Sequence, residues 1–478
     1  MAKDKFYITT SIAYTNAPPH LGFALEAVQA DVLARYNRFL KKETFFLTGT
    51  DEHGRKVQEA ADKAGQTPQE FCDGVSARFQ GLKLALNLSN DSFIRTTDRE
   101  RHWPAVKKAW FGLEKTGDIY KKKYQGLYCS GCEAFITKKD LVEGKCALHQ
   151  REPEVVEEEN WFFRLSKYSK DIEKLITKDQ IKIIPESRKK EMLNFIKQGL
   201  EDVSFSRPRK DLQWGIPVPS DATQTIYCWA DALTNYLSAI GYADDPKTFK
   251  KYWPVDVHCI GKDIQKFHLA IWPGMLLSLG LPLPRNILVH GFITADGQKM
   301  SKSLGNVVDP YELVKKYGTD AVRYFLLREI PPTEDGDFTS EKFEKRYNSD
   351  LASGLGNLVS RVLKMAENSR ISSVPKNFSN SDFKKELSST EKRNKESLAD
   401  FKFNEALMAI WELITFCDQY INQEKPWEES PKQKEVIGDL LLSLQKIAGL
   451  LTPFLPETSQ KIEKAIKANK IEALFPRI

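Results

Sequence analysis

At 478 residues the chain is too long for one ordinary domain, and about three or four are expected. Its 41% hydrophobic and 28% charged residues describe a soluble, globular protein. A formal net charge of +6 permits a polyanionic partner without demanding one, so charge alone does not name a ligand.

The N-terminal MAKDKFYITT has no apolar run followed by a small-residue cleavage site, so no secretory signal is expected. The most apolar long run, Leu269 to Pro284, is interrupted by Pro273, Pro282 and Pro284 and is too short to span a bilayer. A cytoplasmic protein without membrane contact is expected. Seven cysteines are an odd number, and three of them cluster with a histidine. In a reducing compartment that grouping points to metal rather than to disulfides.

In chain order, FYITT from Phe6 is a short β-rich run, followed by the Pro/Asn loop SIAYTNAPP. A helical period then places Leu21, Leu25, Val28, Val32 and Phe39 on one face. TFFLTGT, from Thr44 to Thr50, closes a β-α-β unit. Ligands gather at the carboxyl ends of parallel strands. That end carries His20 and Gly22, with Asp51 and His53 after the second strand. His20 falls on the first turn of the helix, where unpaired backbone N–H groups and the dipole favour an anion such as phosphate. A surface histidine and a turn glycine explain the same residues. Neither the Gly-rich dinucleotide fingerprint nor the P-loop pattern occurs, so a partner motif has to decide.

Residues 55 to 115 read as helices, with Trp103, Val106, Ala109, Trp110 and Leu113 on one core-facing stripe. The period breaks at LYCSGCEAFITKKDLVEGKCALH. Cys129 and Cys132 form one knuckle, and Cys146 and His149 a second. Four such ligands suit tetrahedral zinc and leave no open position for water, so a structural zinc site is expected. Lys121, Lys122 and Lys123 before it read as a solvated face. Residues 116 to 220 look like an insertion carrying the knuckle at 126–150, into an α/β domain that occupies 1–115 and resumes over 221–308.

Past Thr225 the pattern is IYCW, the helix WADALTNYLSAIGY, the strand VDVHCIG and the helix DIQKFHLAIWPGMLLSLG. The strand ILVHGF then leads into the loop ITADGQKMSKSLGN, where Lys299 and Lys302 flank Met300 and Ser301 between Gly297 and Gly305. A lysine pair on a glycine-bounded loop suits closure over a triphosphate and neutralises charge as pyrophosphate leaves. This is the partner motif the first stretch requires. In the linking segment 309–346, Asp309 caps a helix with Pro310 at its first position, Gly318 ends it and Thr319 caps the next. Residues 347–478 read as a helix bundle, with Val436, Leu440, Leu444, Ile447 and Leu451 on one stripe.

PPHLGF at the first helix and KMSKS after the last strand resemble the two signature sequences of class I aminoacyl-tRNA synthetases. LTGTDEHG, the single knuckle pair, WADALTNY, GKDIQKFH and GFITADGQKMSKSLGNVVDP, in that order, narrow the resemblance to the methionyl-tRNA synthetase family over essentially the whole chain. The resemblance implies a Rossmann-like parallel-sheet catalytic domain with a zinc-binding insertion, followed by an α-helical anticodon-binding bundle. It implies ATP, with Mg2+, and L-methionine as substrates and tRNA(Met) as acceptor. His20, Lys299 and Lys302 are the implied catalytic residues, with Gly22 also at ATP and Gly261 and Asp263 at the ribose. Ile12, Tyr14, Asp51, Trp229, Ala232, Leu233, Tyr236, Ile264, His268 and Trp272 are implied around methionine, with Asp51 facing its ammonium and Arg207 as a supporting partner. A thioether favours such apolar and aromatic contacts, and one hydroxyl such as that of Tyr236 marks the sulfur. Read alone, the tryptophans are equally core packing and His268 a satisfied core histidine.

One departure stands out: Phe23 occupies the position where the family's first signature commonly has a second histidine, which removes a hydrogen-bonding contact near the nucleotide. In the bundle, 19 Lys+Arg stand against 17 Asp+Glu over 351–478, so bulk charge does not select an RNA. Anticodon reading is implied for Asn357, Arg361 and Trp427, through stacking and base-edge hydrogen bonds. Alone, Arg361 reads as a solvated charge and Trp427 as a bundle-edge packer. Two alternatives are an RNA-binding protein with a decayed ATP site, and a ligase for leucine, isoleucine, valine or cysteine. Intact His20, Asp51, Lys299 and Lys302 oppose the first. A short insertion with a closed zinc site opposes the second. The chain stops at FPRI without a dimerising segment, so a monomer is expected.

Overall fold

The computed structural model describes residues 4–129, 134–136, 141–148, 150–300, 305–371, 373–468 and 473–478. They form two compact units, one of residues 1–19, 42–81 and 90–289, the other of 20–41, 82–89 and 290–478. The expected division had instead kept all of 1–115 together.

The first unit is built on a six-stranded sheet, in the order Ser92–Arg95, Glu43–Asp51, Lys5–Tyr14, Val257–Gly261, Asn286–His290 and Lys182–Ile184. Lys5–Tyr14 pairs in parallel with Glu43–Asp51 and with Val257–Gly261. Tyr7, Ile8, Thr9 and Thr10 are all fully buried, as expected of a parallel strand covered on both faces. Chain order reverses between Lys5–Tyr14 and Val257–Gly261, and in open α/β sheets this is where ligands bind.

Two short strands depart from the expected pattern. Ser92–Arg95 interrupts the stretch read as helices and pairs with Glu43–Asp51. Lys182–Ile184, inside the span assigned to the insertion, is the far edge of the main sheet beside Asn286–His290. Three or four residues carry too little alternation to be seen as a strand. Elsewhere in that span Ile119–Cys129 pairs antiparallel with Glu154–Phe163, Ser169–Thr177 and Glu186–Lys197 are helices, and Ser206–Pro208 pairs antiparallel with Asp221–Ile226 just beyond it.

The helix expected over WADALTNYLSAIGY is broken into Trp229–Ala232 and Asn235–Ser238. The Thr234 hydroxyl donates to the Ala230 carbonyl and the Asn235 amide to that of Ala232, local bonds that compete with helix propagation. The next helix is likewise composite, a 3₁₀ turn Lys262–Ile264, a π-helical turn Phe267–Ile271 and an α-helix Trp272–Ser278. Pro273, lacking an N–H, fits the α-helical start.

In the second unit Leu21, Leu25, Val28 and Val32 of the helix Leu21–Phe39 are fully buried, but Phe39, at its last turn, is 56% exposed. Asp309 caps Pro310–Tyr317 by accepting from the Tyr311 N–H, as expected. Thr319 is not a cap. Gly318, at φ 89°, both ends that helix and precedes Thr319–Arg328, and the Thr319 hydroxyl donates to the Ala85 carbonyl. Arg323 is fully buried. It pairs with Asp31 at 2.8 Å and donates to the carbonyls of Leu86, Pro453 and Phe454. The bundle follows as Tyr347–Gly356, Asn357–Asn368, Ser381–Ala399, Phe403–Glu424, Gln433–Leu451 and Pro456–Ala468. Val436, Leu440, Leu444, Ile447 and Leu451 are all buried, as their spacing predicts. No helix among the described residues is long and apolar enough to cross a membrane.

Candidate active site

At the reversal point, the first strand and its neighbour bring two expected residues side by side. Across the pair, Ile12 opposes Gly49 and Tyr14 opposes Asp51, and the Thr15 N–H donates to the Asp51 carbonyl at 3.0 Å. Gly49 has to be glycine, because a Cβ there would meet the Ile94 carbonyl oxygen at 2.2 Å and the Ile12 side chain at 3.0 Å. The register shift between Thr9 and Ile12 re-aims the strand as it reaches the site.

Several of the expected apolar residues share one hydrophobic cluster. Ile12, Trp229, Ile264 and Phe267 pack against a cluster that includes Leu233, Tyr236 and Trp272. Trp229 stacks on Phe267 with centroids 3.5 Å apart and planes 14° apart. The π-helical turn supplies both Phe267 and His268, an irregularity often found at functional sites. Ala232 is buried in the turn that carries Trp229.

The polar end of the cluster has a fixed hydrogen-bond direction. His268 Nδ1 lies 3.1 Å from the Ile264 carbonyl, an acceptor only, so Nδ1 carries the proton and Nε2 accepts from the Tyr236 hydroxyl at 2.7 Å. In this arrangement the hydroxyl proton assigned to a sulfur is given to His268. Behind them, Trp272 donates to His258 Nε2 at 3.2 Å, and His258 Nδ1 sits 2.7 Å from the Thr9 hydroxyl. Burial, then the neighbouring His268, holds His258 well below the usual histidine range, so it is neutral.

The loop after Asp51 is held from several sides. The Glu52 N–H donates to Thr96 Oγ1 at 2.9 Å, and Trp214 Nε1 donates to the Glu52 carbonyl at 2.6 Å. His53 Nδ1 and His102 Nε2 each lie 2.7 Å from one oxygen of Asp231. Burial pushes the Asp231 carboxyl up, but the charge of His53 and the hydrogen bonds from both rings outweigh it and bring it down to about 2. His102, Asp231, His258 and Phe267 were not singled out from the sequence. A carboxylate inside the apolar WADALTNY was the available signal for Asp231, because a buried charge requires partners.

Gly261 ends the strand Val257–Gly261 and is buried, and Asp263 is exposed on the following 3₁₀ turn. In the second unit His20 is the cap of Leu21–Phe39, not a first-turn residue, and its Nδ1 accepts the Gly22 N–H at 3.0 Å. Gly22 permits this, since a Cβ would lie 2.8 Å from the imidazole. The unpaired N–H groups expected there are taken: Leu21 donates to Val308 O, Gly22 to His20 Nδ1, and Phe23 and Ala24 to His20 O. With Nδ1 accepting, the His20 proton sits on Nε2, which makes the exposed side chain rather than the backbone the donor for an anion.

The expected lysine loop begins as a hairpin, Ile293–Ala295 against Gln298–Lys299, and Ile293–Ala295 also pairs with Gly336–Phe338. Asp337 fixes its turn, accepting from Gly297 N at 2.8 Å and the Thr294 hydroxyl at 2.7 Å. Lys299 is exposed, 5.6 Å from the centre of the Phe292 ring. Lys302 lies outside the described residues.

Of the four expected zinc ligands, Cys132 and His149 also lie outside the described residues. Cys129 and Cys146 are buried at 1% and 2% exposure, in a small cluster with Ile136 edged by Leu127 and Leu141. Arg207 is buried, its guanidinium 4.2 Å from the Tyr227 ring centre and donating to the Ser204 hydroxyl and to the Ser206 carbonyl.

In the bundle Asn357 is exposed at the start of its helix, and Arg361, one turn on, is held by Asp418 at 3.3 Å and Asn422 at 2.9 Å. Arg361 is thus a positioned cation rather than a loose surface charge. Trp427 is 55% exposed, so it is not a packing residue of the bundle edge.

The family described as tRNA synthetases class I (M) matches residues 6–146 and 132–363, and that described as the anticodon-binding domain of tRNA ligase matches 380–476. The methionine–tRNA ligase of Caldanaerobacter subterraneus subsp. tengcongensis is 45% identical over 100% of this chain and 79% of its own length. That of Thermotoga maritima is 42% identical over 97% and 75% respectively. Among solved structures, Mycobacterium tuberculosis methionyl-tRNA synthetase in complex with methionyl-adenylate superposes with a TM-score of 0.91 at 38% identity, covering 96% of this chain and 93% of that one. The sheet reversal and the helical bundle are accordingly those of the methionyl-tRNA synthetase family of class I, to which this chain belongs.

Proposed function

We propose that the protein is a methionine–tRNA ligase of the cytoplasm. A methionine carboxylate oxygen attacks the α-phosphorus of ATP, the bond to the bridging oxygen breaks, and pyrophosphate leaves with that electron pair. A hydroxyl of the terminal ribose of tRNA(Met) then attacks the carbonyl of the adenylate, and AMP departs. The observation that carries the reading is that Ile12 and Asp51, near the carboxyl ends of paired strands, share a unit with the apolar and aromatic cluster of Leu233, Trp229 and Tyr236, on which Ile12 packs. An unbranched thioether suits that cluster, and an ammonium suits the Asp51 carboxylate.

ATP enters as its magnesium complex. His20, offering Nε2–H, and the lysines Lys299 and Lys302 are assigned to the phosphates, with Gly22 admitting the His20 conformation. Gly261 and Asp263 are assigned to the ribose, where close backbone approach and a carboxylate accepting hydroxyl protons both serve. Little covalent work falls to these groups. They position the reactants and stabilise charge on the departing pyrophosphate. Asn357, Arg361 and Trp427 are assigned to the anticodon.

Zinc is assigned to Cys129, Cys132, Cys146 and His149. Two cysteines buried together beside Ile136 supply two of the four thiolate and imidazole ligands such a site needs. Metal analysis of Cys146→Ala is expected to show loss of zinc, and full retention sinks the assignment.

The reaction is tested by methionine-dependent exchange of pyrophosphate into ATP without tRNA. Exchange driven by methionine and not by leucine, isoleucine, valine or cysteine is expected. Absence of exchange, or equal exchange with a branched side chain, overturns the reading.

A further inference from the structure

Three buried side chains beside the amino-acid pocket have no part in the roles assigned above. His53, Asp231 and His102 are 3%, 1% and 0% exposed, and both rings bond to the one carboxylate at 2.7 Å. The carboxylate accepts from each, so His53 is protonated at Nδ1 and His102 at Nε2, with His102 Nδ1 turned to the Ser238 hydroxyl at 2.9 Å. An ionised carboxylate at this depth is costly unless fully partnered, and removing one partner leaves a buried charge exposed to that cost.

The three residues join separate elements. His53 follows Asp51 by two positions on the loop after the strand Glu43–Asp51. Asp231 lies inside the one-turn helix Trp229–Ala232. His102 opens the helix His102–Lys115, and Ser238 ends Asn235–Ser238, the turn that carries Tyr236. The backbone of Glu52 is held by Thr96 and Trp214, and the His53 side chain ties that loop to the helix of Asp231. Two edge-on tryptophans, Trp214 at 5.5 Å and Trp103 at 6.1 Å, leave the His53 ring little freedom to swing away.

We propose that Asp231, clamped between His53 and His102, is a positioning residue that sets the separation between the Asp51 carboxylate and the wall of Trp229, Leu233 and Tyr236, and so fixes the side-chain length the pocket accepts. The inference rests on the reading of that pocket as a methionine site. With the ammonium held at one end and the thioether at the other, a rigid span rejects a side chain one methylene longer. A loosened span admits it and holds methionine less well.

The test is pyrophosphate exchange with methionine and with ethionine, its one-methylene homologue, in the wild type, His53→Gln and Asp231→Asn. Loss of a hydrogen bond to a buried charge is expected to raise the methionine KM about tenfold or more in either variant, with the ATP KM within about twofold. The preference for methionine over ethionine in kcat/KM is expected to fall by at least about threefold. A general loss of folded enzyme lowers kcat for both amino acids without moving either ratio. A methionine KM like that of the wild type, or methionine and ATP KM rising together, overturns the positioning role. A measurement on the unaltered protein covers variants that fail to fold. With 15N-labelled histidine, the two N–H protons on Asp231 are expected to shift when methionine is added and to stay when ATP alone is added. Immobile resonances overturn the proposal. Wild-type exchange that does not depend on methionine instead refutes the proposed function, and the two failures are thereby distinguished.

Discussion

Replacing Lys302 by Ala is expected to slow adenylate formation about a hundredfold to a thousandfold at saturating ATP and methionine, because electrostatic donors aimed at developing charge are typically worth about 2.7–4 kcal/mol. The charge that matters appears as the bond to pyrophosphate breaks, so the loss falls on the saturated rate more than on the ATP concentration required. The neighbouring Lys299 ends a two-residue strand whose turn Asp337 pins through the Gly297 N–H and the Thr294 hydroxyl. Lys302→Arg is expected to restore only part of the rate, since a planar fork does not reproduce a compact point charge. The measurement is single-turnover adenylate formation. An Ala variant with its saturated rate intact and only a raised ATP requirement shows that Lys302 anchors ATP without assisting the chemistry.

The elements that were legible in the sequence are those whose pattern is set by burial over many residues. The parallel strand Glu43–Asp51, the core stripe of Val106, Ala109, Trp110 and Leu113, and the bundle stripe from Val436 to Leu451 appear where their pattern places them, and the strand begun by FYITT runs on through Ser11–Tyr14, which had read as loop. What escaped was short or depended on partners distant in sequence. Lys182–Ile184 is a strand because Asn286–His290 lies beside it, and nothing within KII says so. The break between Trp229–Ala232 and Asn235–Ser238 comes from side-chain bonds of Thr234 and Asn235 to the backbone, which an apolar period does not record.

The candidate site divides the same way. Asp51 and the aromatic residues assigned to methionine came from motif resemblance, whereas the unpaired N–H groups read into the first helix are not there. Its first N–H groups are all taken, by Val308 and by His20 itself, so what remains for a phosphate is a side-chain donor. Likewise the tie of His53 and His102 to Asp231 spans 178 and 129 positions and becomes visible only when the chain is folded.

Replacing Trp427 by Ala is expected to lower kcat/KM for tRNA charging about fivefold to 150-fold, while pyrophosphate exchange without tRNA stays within about twofold. Stacking on an unpaired base is worth about 1–3 kcal/mol, and every base offers a face for it. At 55% exposure the indole has a large open surface, yet Pro426 beside it is buried, so its base is anchored and its ring presented. Arg361 is immobilised in the same bundle by Asp418 and Asn422, and a held cation loses less entropy on meeting a base edge than a free one does. Because the ring is outside the core, its loss is expected to leave the unfolding transition nearly in place, within about 0.5 kcal/mol. Trp427→Phe keeps a stacking face and is expected to recover most of the charging efficiency. The decisive comparison is between the two half-reactions of one variant. Equal losses in exchange and in charging mean that Trp427 supports the fold instead of the anticodon, and charging as efficient as in the wild type removes it from the tRNA interface altogether.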